Sequence, residues 1–236
     1  MHIQRRQHGF TLIEIAIVLV IIGLLLGGIL KGQELITSAR VRNLISQQDG
    51  IKAGFYGFQD RYRAFPGDYL LADRNLGGTG TISIGNGDGR IQKGAVPVTR
   101  DGVTSVTDED NLVWEHLTRA GFLNGSFTYS GGEATDLSTP KNPYGSFVGL
   151  AYDAVYGDGT ATNPVRHNLK TGRQIPVEIA AEVDRKTDDG DPTAGAFQFS
   201  TFGAVEPPTA ATCVNGKAWR LTGGTTSVNC GGSTLL

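Results

Sequence analysis

Histidine and cysteine are scarce in this 236-residue chain, at four and two residues respectively. His2 and His8 fall within the first nine positions, and His116 and His167 stand alone, outside any motif that supplies a nucleophile or a metal. Cys213 and Cys230 have no histidine close by in sequence and fall short of a zinc site. No phosphate-binding glycine loop is present: residues 85–89, Gly-Asn-Gly-Asp-Gly, lack the lysine and the following helix that such a loop needs. Positive charge is not in excess, with 21 Lys and Arg against 23 Asp and Glu and a net charge of −2, so no nucleic-acid partner is expected. Tyr56, Tyr62 and Tyr69 beside Arg61 and Arg63 could stack bases, but without a basic surround they read better as the rim of a helix packed on its domain. Proline is absent before Pro66, and residues 10–30 contain no Lys, Arg or Asp.

What fills that proline-free stretch is an apolar run, Phe10 to Leu30, in which Glu14 is the sole formal charge. As a helix rising about 1.5 Å per residue it would span the roughly 30 Å hydrocarbon core of a bilayer. A carboxylate at membrane depth costs about 2.5–3.5 kcal/mol and calls for a partner. A basic leader followed by an apolar core also describes a secretory signal, with Thr37-Ser38-Ala39 as a cleavage site and Arg40 as the new N-terminus. The run is longer than the usual signal core, and Gly9 and Glu14 have no purpose in a signal peptide.

Arg5, Arg6 and Gly9, followed by Phe10, Thr11, Leu12, Ile13 and Glu14, resemble the processing site of the type IV pilin superfamily, which includes minor pilins and type II secretion pseudopilins. The resemblance implies a prepilin peptidase that cuts after Gly9 and N-methylates Phe10, and a Glu14 that meets the terminal amine of a neighbouring subunit. It implies a structural subunit rather than an enzyme, anchored once in a bacterial inner membrane with its head in the periplasm, or extracellular in a pilus. Loss of Arg5 and Arg6 with the leader would move the net charge from −2 to −4. The other reading is a monomeric, membrane-anchored binding or adhesion module.

The expected organisation is a leader (1–9), a transmembrane or filament-core helix (10–30), an amphipathic continuation of that helix (31–65) and a globular head (66–236). The fold class is α+β: a long helical spine packed on a head with a small antiparallel sheet. Val41, Leu44, Ile51, Phe55, Phe58 and Tyr62 step along one helical face, with Gln48 as the polar interruption. Gly23, Gly27, Gly28 and Gly32 are placed to weaken the helix, and Gly50, Gly54 and Gly57 to admit a close neighbour. Pro66-Gly67 ends the spine. Further helices are expected at 111–123 and 176–186, and strands at 126–129, 147–153, 196–202, 218–222 and 226–230. The last two would form a hairpin turning at Gly223-Gly224.

Export across the inner membrane favours a Cys213–Cys230 disulfide, worth about 3 kcal/mol for so short a loop. No cofactor is required, although two acidic loops could take calcium. Asn86 and Asp88 fill the third and fifth places of an EF-hand-like loop whose first and twelfth places, Ile84 and Ala95, fail, so that Glu109 or Asp110 would have to complete it. The second loop gathers Asp184, Asp188, Asp189 and Asp191. Turns and helix ends use the same residue types without any ion.

Overall fold

Fifty-one residues free of proline form one helix, α1 (Leu12–Tyr62). The computed structural model describes residues 11–77, 82–159, 163–203, 205–222 and 226–236. The chain divides into two units, residues 1–40 and 41–236. In the first, Gly23, Gly27, Gly28 and Gly32 leave the helix unbroken, and no described side chain is buried. In the second, Val41, Leu44, Gln48, Ile51, Phe55 and Phe58 turn inward as the heptad-like spacing requires, while Tyr62 is half-buried. The helix stops at Arg63, which adopts the left-handed conformation (φ 55°) and closes the last turn through its N–H on Gln59 O, 2.9 Å.

The head is α+β. A short helix, α2 (Ala72–Asn75), precedes a hairpin of β1 (Val96–Arg100) and β2 (Val103–Thr107). Then come α3 (Glu109–Arg119), β3 (Gly149–Asp153), β4 (Arg166–Lys170) and α4 (Val177–Thr187). They are followed by β5 (Phe197–Phe199), α5 (Ala210–Cys213), β6 (Val214–Asn215), β7 (Ala218–Trp219) and β8 (Gly232–Leu235). The main sheet is antiparallel throughout in the order β3-β4-β8-β5.

Two apolar clusters hold these elements on the head portion of α1. Val41 and Leu44 pack with Val177, Val183, Phe199 and Trp219, in the cluster that also buries both cysteines. Ile51, Phe55 and Phe58 pack with Trp114, Leu117, Leu150 and Leu169. Fully burying each such side chain contributes about 1.5–3 kcal/mol. A Cβ at Gly57 would lie 2.8 Å from the Phe122 ring and one at Gly54 3.3 Å from Phe122 O, so both glycines admit α3's following turn; nothing approaches Gly50 within 4 Å.

Several local expectations are corrected. Residues 126–129 form no strand, because the Tyr129 N–H goes to Glu115 and Thr128 pairs only with Leu137. The 218–222 segment pairs backward with β6, not forward with 226–230. Gly216 (φ 61°) supplies the turn, and Cys230 instead bridges Ile175. Gly223-Gly224 lie outside the described residues. β1, β2, β4, β6 and β8 were not anticipated.

Candidate functional site

Gly9 and Phe10 lie outside the described residues. Immediately after them, Thr11 and Glu14 cap α1 reciprocally. The Thr11 N–H and hydroxyl both donate to Glu14 Oε2, at 2.8 and 2.7 Å, and the Glu14 N–H donates to Thr11 Oγ1 at 3.3 Å. This is a capping box, which satisfies helix N–H groups that have no partner within the helix. Its signal, Thr-x-x-Glu before an apolar run, was present in the sequence and went unread. Beyond the cap, Leu12, Ile13, Ile15, Ile17 and the following Leu, Ile and Val residues to Leu30 are exposed. The helix is long and apolar enough to cross a membrane.

The EF-hand-like loop is organised from outside itself. Asp68, buried in the turn after α1, accepts N–H groups from Gly87 (2.6 Å), Asp88 (3.0 Å) and Gly89 (2.8 Å). Glu109, fully buried at the start of α3, accepts from Asn86 (2.9 Å) and Gln92 (3.1 Å). Asn86 and Asp88 make side-chain turns with the N–H groups of Asp88 and Arg90. Backbone donors thus converge on two buried carboxylates. Burial raises Asp68 to about 6 and Glu109 to about 7, against the lowering effect of those same hydrogen bonds. The Asp110 carboxylate accepts none of those N–H groups; burial raises it to about 6, against the lowering influence of the Lys93 charge.

In the second acidic loop, Asp184, Asp188 and Asp189 bring carboxylate oxygens within 4.8 Å of one another, and Asp191 stands apart. Asp184 accepts the Trp219 indole N–H at 2.7 Å and the Gly190 N–H at 3.3 Å; burial raises it to about 6. Asp188 accepts the N–H groups of Ala196 and Phe197, Asp189 that of Asp191, and Asp191 that of Thr193. The loop is folded around its carboxylates by donors of its own chain.

The two head histidines serve packing. His116 is fully buried, accepts the Gly67 N–H on Nδ1 (2.9 Å) and meets Ser83 O through Nε2 (3.0 Å). His167 lies against the rings of Phe55, Phe65 and Tyr152. Burial lowers both to about 4, so both are neutral at pH 7. The aromatic and basic residues at the end of α1 offer no row of open rings: Tyr69 is buried, Tyr62 packs on Phe58 and Tyr69, and Arg61 lies over Tyr62.

Cys213 and Cys230 are joined, with an S–S distance of 2.01 Å and both residues fully buried. Sequence reading missed a cleft of 770 Å³ in the head, lined by Asp110, Phe147 and Phe202 and by the basic Lys93, Lys141 and Arg173. It also missed a group on the main sheet in which the buried Asn168, Lys170 and Ser233 meet the partly exposed Asp153. Nothing in their spacing marks either one, because segments that are far apart in sequence assemble them.

With this geometry in place, residues 4–30 match the model of the prokaryotic N-terminal methylation motif, the signature of type IV pilins and pseudopilins. No curated protein and no solved structure matches the chain.

Proposed function

We propose that the chain bearing this methylation motif is a prepilin, a structural and non-enzymatic subunit that polymerises into a type IV pilus or a type II secretion pseudopilus. The observation that carries the reading is the motif at residues 4–30 running directly into the exposed apolar face of α1. In this reading a prepilin peptidase cuts after Gly9 and methylates Phe10. The unit of residues 1–40 holds the subunit in the inner membrane until assembly, with the head in the periplasm. Side chains from Leu12 to Leu30 then exchange lipid for neighbouring helices.

Glu14 supplies the specificity of that exchange. Cleavage creates an ammonium on Phe10, and a carboxylate and an ammonium that neutralise one another between subunits remove a penalty that each would suffer alone in lipid. The capping box gives Glu14 a partner before assembly, since both bonds from Thr11 fall on Oε2.

A zero-length carbodiimide crosslink, which joins carboxylate to amine, tests the pairing in membranes and in assembled material. A ladder of multimers is expected, with Glu14 coupled to Phe10 of another copy and lost in Glu14→Ala. A strictly monomeric product would overturn the reading in favour of a tethered binding module.

A further inference from the structure

The main sheet buries a reactive set of side chains that no part of the filament reading uses. Asn168 and Lys170 are two residues apart on β4, so both point to the same face. Ser233 on β8 is the register partner of Lys170, and Asp153 closes β3 beside them. Asn168 and Ser233 are fully buried, and Lys170 is 1% exposed.

Their contacts are those of a nucleophile held against an amide. Lys170 Nζ donates to Asn168 Oδ1 at 2.5 Å and to Asp153 Oδ1 at 2.8 Å. The same Asp153 oxygen accepts Asn168 Nδ2 at 3.0 Å, so one carboxylate touches both the attacking and the departing nitrogen. Ser233 Oγ donates to Asn168 Oδ1 at 2.8 Å, where charge would develop on the carbonyl oxygen. The Phe202 ring lies 5.7 Å from Nζ and helps to exclude water. Burial also draws the Lys170 pKa down towards the free amine, against the pull of Asp153.

We propose that Lys170 and Asn168 become joined by an intramolecular isopeptide bond, formed by the folded head itself with Asp153 as proton carrier and Ser233 as oxyanion donor. Asp153 takes one proton from the Lys170 ammonium. Rotation about the soft terminal torsion of Asn168 presents Cγ to Nζ. Attack then forms the Nζ–Cγ bond and moves the carbonyl pair onto Oδ1, where the Ser233 hydroxyl donates. Asp153 passes its proton to Nδ2, and collapse of the oxyanion breaks the Cγ–Nδ2 bond and expels ammonia. The surplus proton on Nζ leaves through Asp153 with the ammonia as ammonium. No oxidant or other co-reactant is required, and the fold supplies the proximity that lets a poor electrophile react. The bond would close a covalent ring within β4, fixing the inner face of that strand independently of processing or assembly.

Peptide mapping of the full-length folded protein tests this. Trypsin should cut after Arg166 but not after Lys170, giving residues 167–173 as one peptide lighter by one ammonia and resistant to fragmentation between 168 and 170. Residues 167–170 released at unmodified mass with a free lysine amine would overturn the proposal. So would ammonia loss with cleavage after Lys170 retained, which marks a succinimide at Asn168, or loss of water joining Lys170 to Asp153. Asp153→Ala should keep its ammonia. Ser233→Ala, a milder change that leaves Lys170 and Asp153 paired, should convert about tenfold more slowly or worse. Conversion of both variants at the native rate would overturn the assigned roles.

Discussion

Acidifying the head from about pH 7.5 to about pH 5.5 should stabilise it. Burial holds four carboxyls above their ordinary range, Asp68, Asp110 and Asp184 at about 6 and Glu109 at about 7. Because these values are raised in the folded state, the folded head takes up protons in this window that the unfolded chain takes up only below about pH 4.5. The stability these groups contribute is complete below that point and is lost as pH rises through 6 and 7. His116 and His167 oppose this: lowered to about 4 when folded, they favour the unfolded chain as pH falls below about 6.5. Because the groups titrate only in part and the unfolded histidines take up protons from about 6.5, the net difference grows from near zero at the alkaline end of the window to about one proton at the acid end, each worth about 1.4 kcal/mol per pH unit. Integrated over the two pH units, the gain is about 1–2 kcal/mol, or roughly 3–7 °C in Tm for a domain of this size. Thermal melts followed by near-ultraviolet circular dichroism, which reports the packed aromatics of the head, measure it directly. Glu109→Gln removes the carboxyl that titrates highest and should shrink the difference between the two pH values. A Tm that is flat or falling on acidification, or a Glu109→Gln variant with the native pH dependence, would refute the reasoning.

Replacing Cys213 and Cys230 together with serine should lower stability by about 3 kcal/mol, given the 17-residue separation they close, and speed proteolysis of residues 205–236. Urea denaturation and limited digestion check it. Gly67 has φ 89°, and a Cβ there would lie 2.5 Å from Glu109 O, so Gly67→Ala should cost about 1–3 kcal/mol and loosen the Asp68 turn, as seen by hydrogen exchange at residues 86–92. Glu14→Gln separates two roles of one side chain: glutamine can still complete a capping box but carries no charge. It should insert and be processed normally yet enter filaments poorly, and normal incorporation on immunoblots of sheared material would show that the cap, not the charge, is what assembly needs.

The spine helix and its buried face were legible because their causes are local. A proline-free run, an apolar band and a repeat near 3.6 residues act within one segment, and Val41, Leu44, Ile51, Phe55 and Phe58 are buried as that period demands. Helices α3 and α4 were also visible, shifted by one to four residues at their ends, because acidic residues and Pro176 mark their starts. Two hairpins were missed although their turns are written plainly. Asp101-Gly102, both at positive φ, joins β1 to β2, and Asn215-Gly216 precedes β7. The expected hairpin at 218–230 gave weight to alternation and too little to that Asn-Gly pair. Other features were beyond local reading. β4 carries Arg166, Asn168 and Lys170, which look like a polar loop until Asp153 and Ser233 partner them across the sheet. The two acidic loops were read from composition, which pointed to Glu109 or Asp110 as an outside contributor to the first loop but gave no sign of Asp68, the other carboxylate that its backbone folds around.

The central claim, that this chain is a processed and polymerising subunit, rests on its first residues and is tested there. Filaments sheared from the native host and digested for mass spectrometry should yield this chain's N-terminal peptide beginning at Phe10 and carrying one methyl group. A chain that begins at Arg40 or keeps residues 1–9, or one methylated at Phe10 but found only as a membrane monomer, would contradict it.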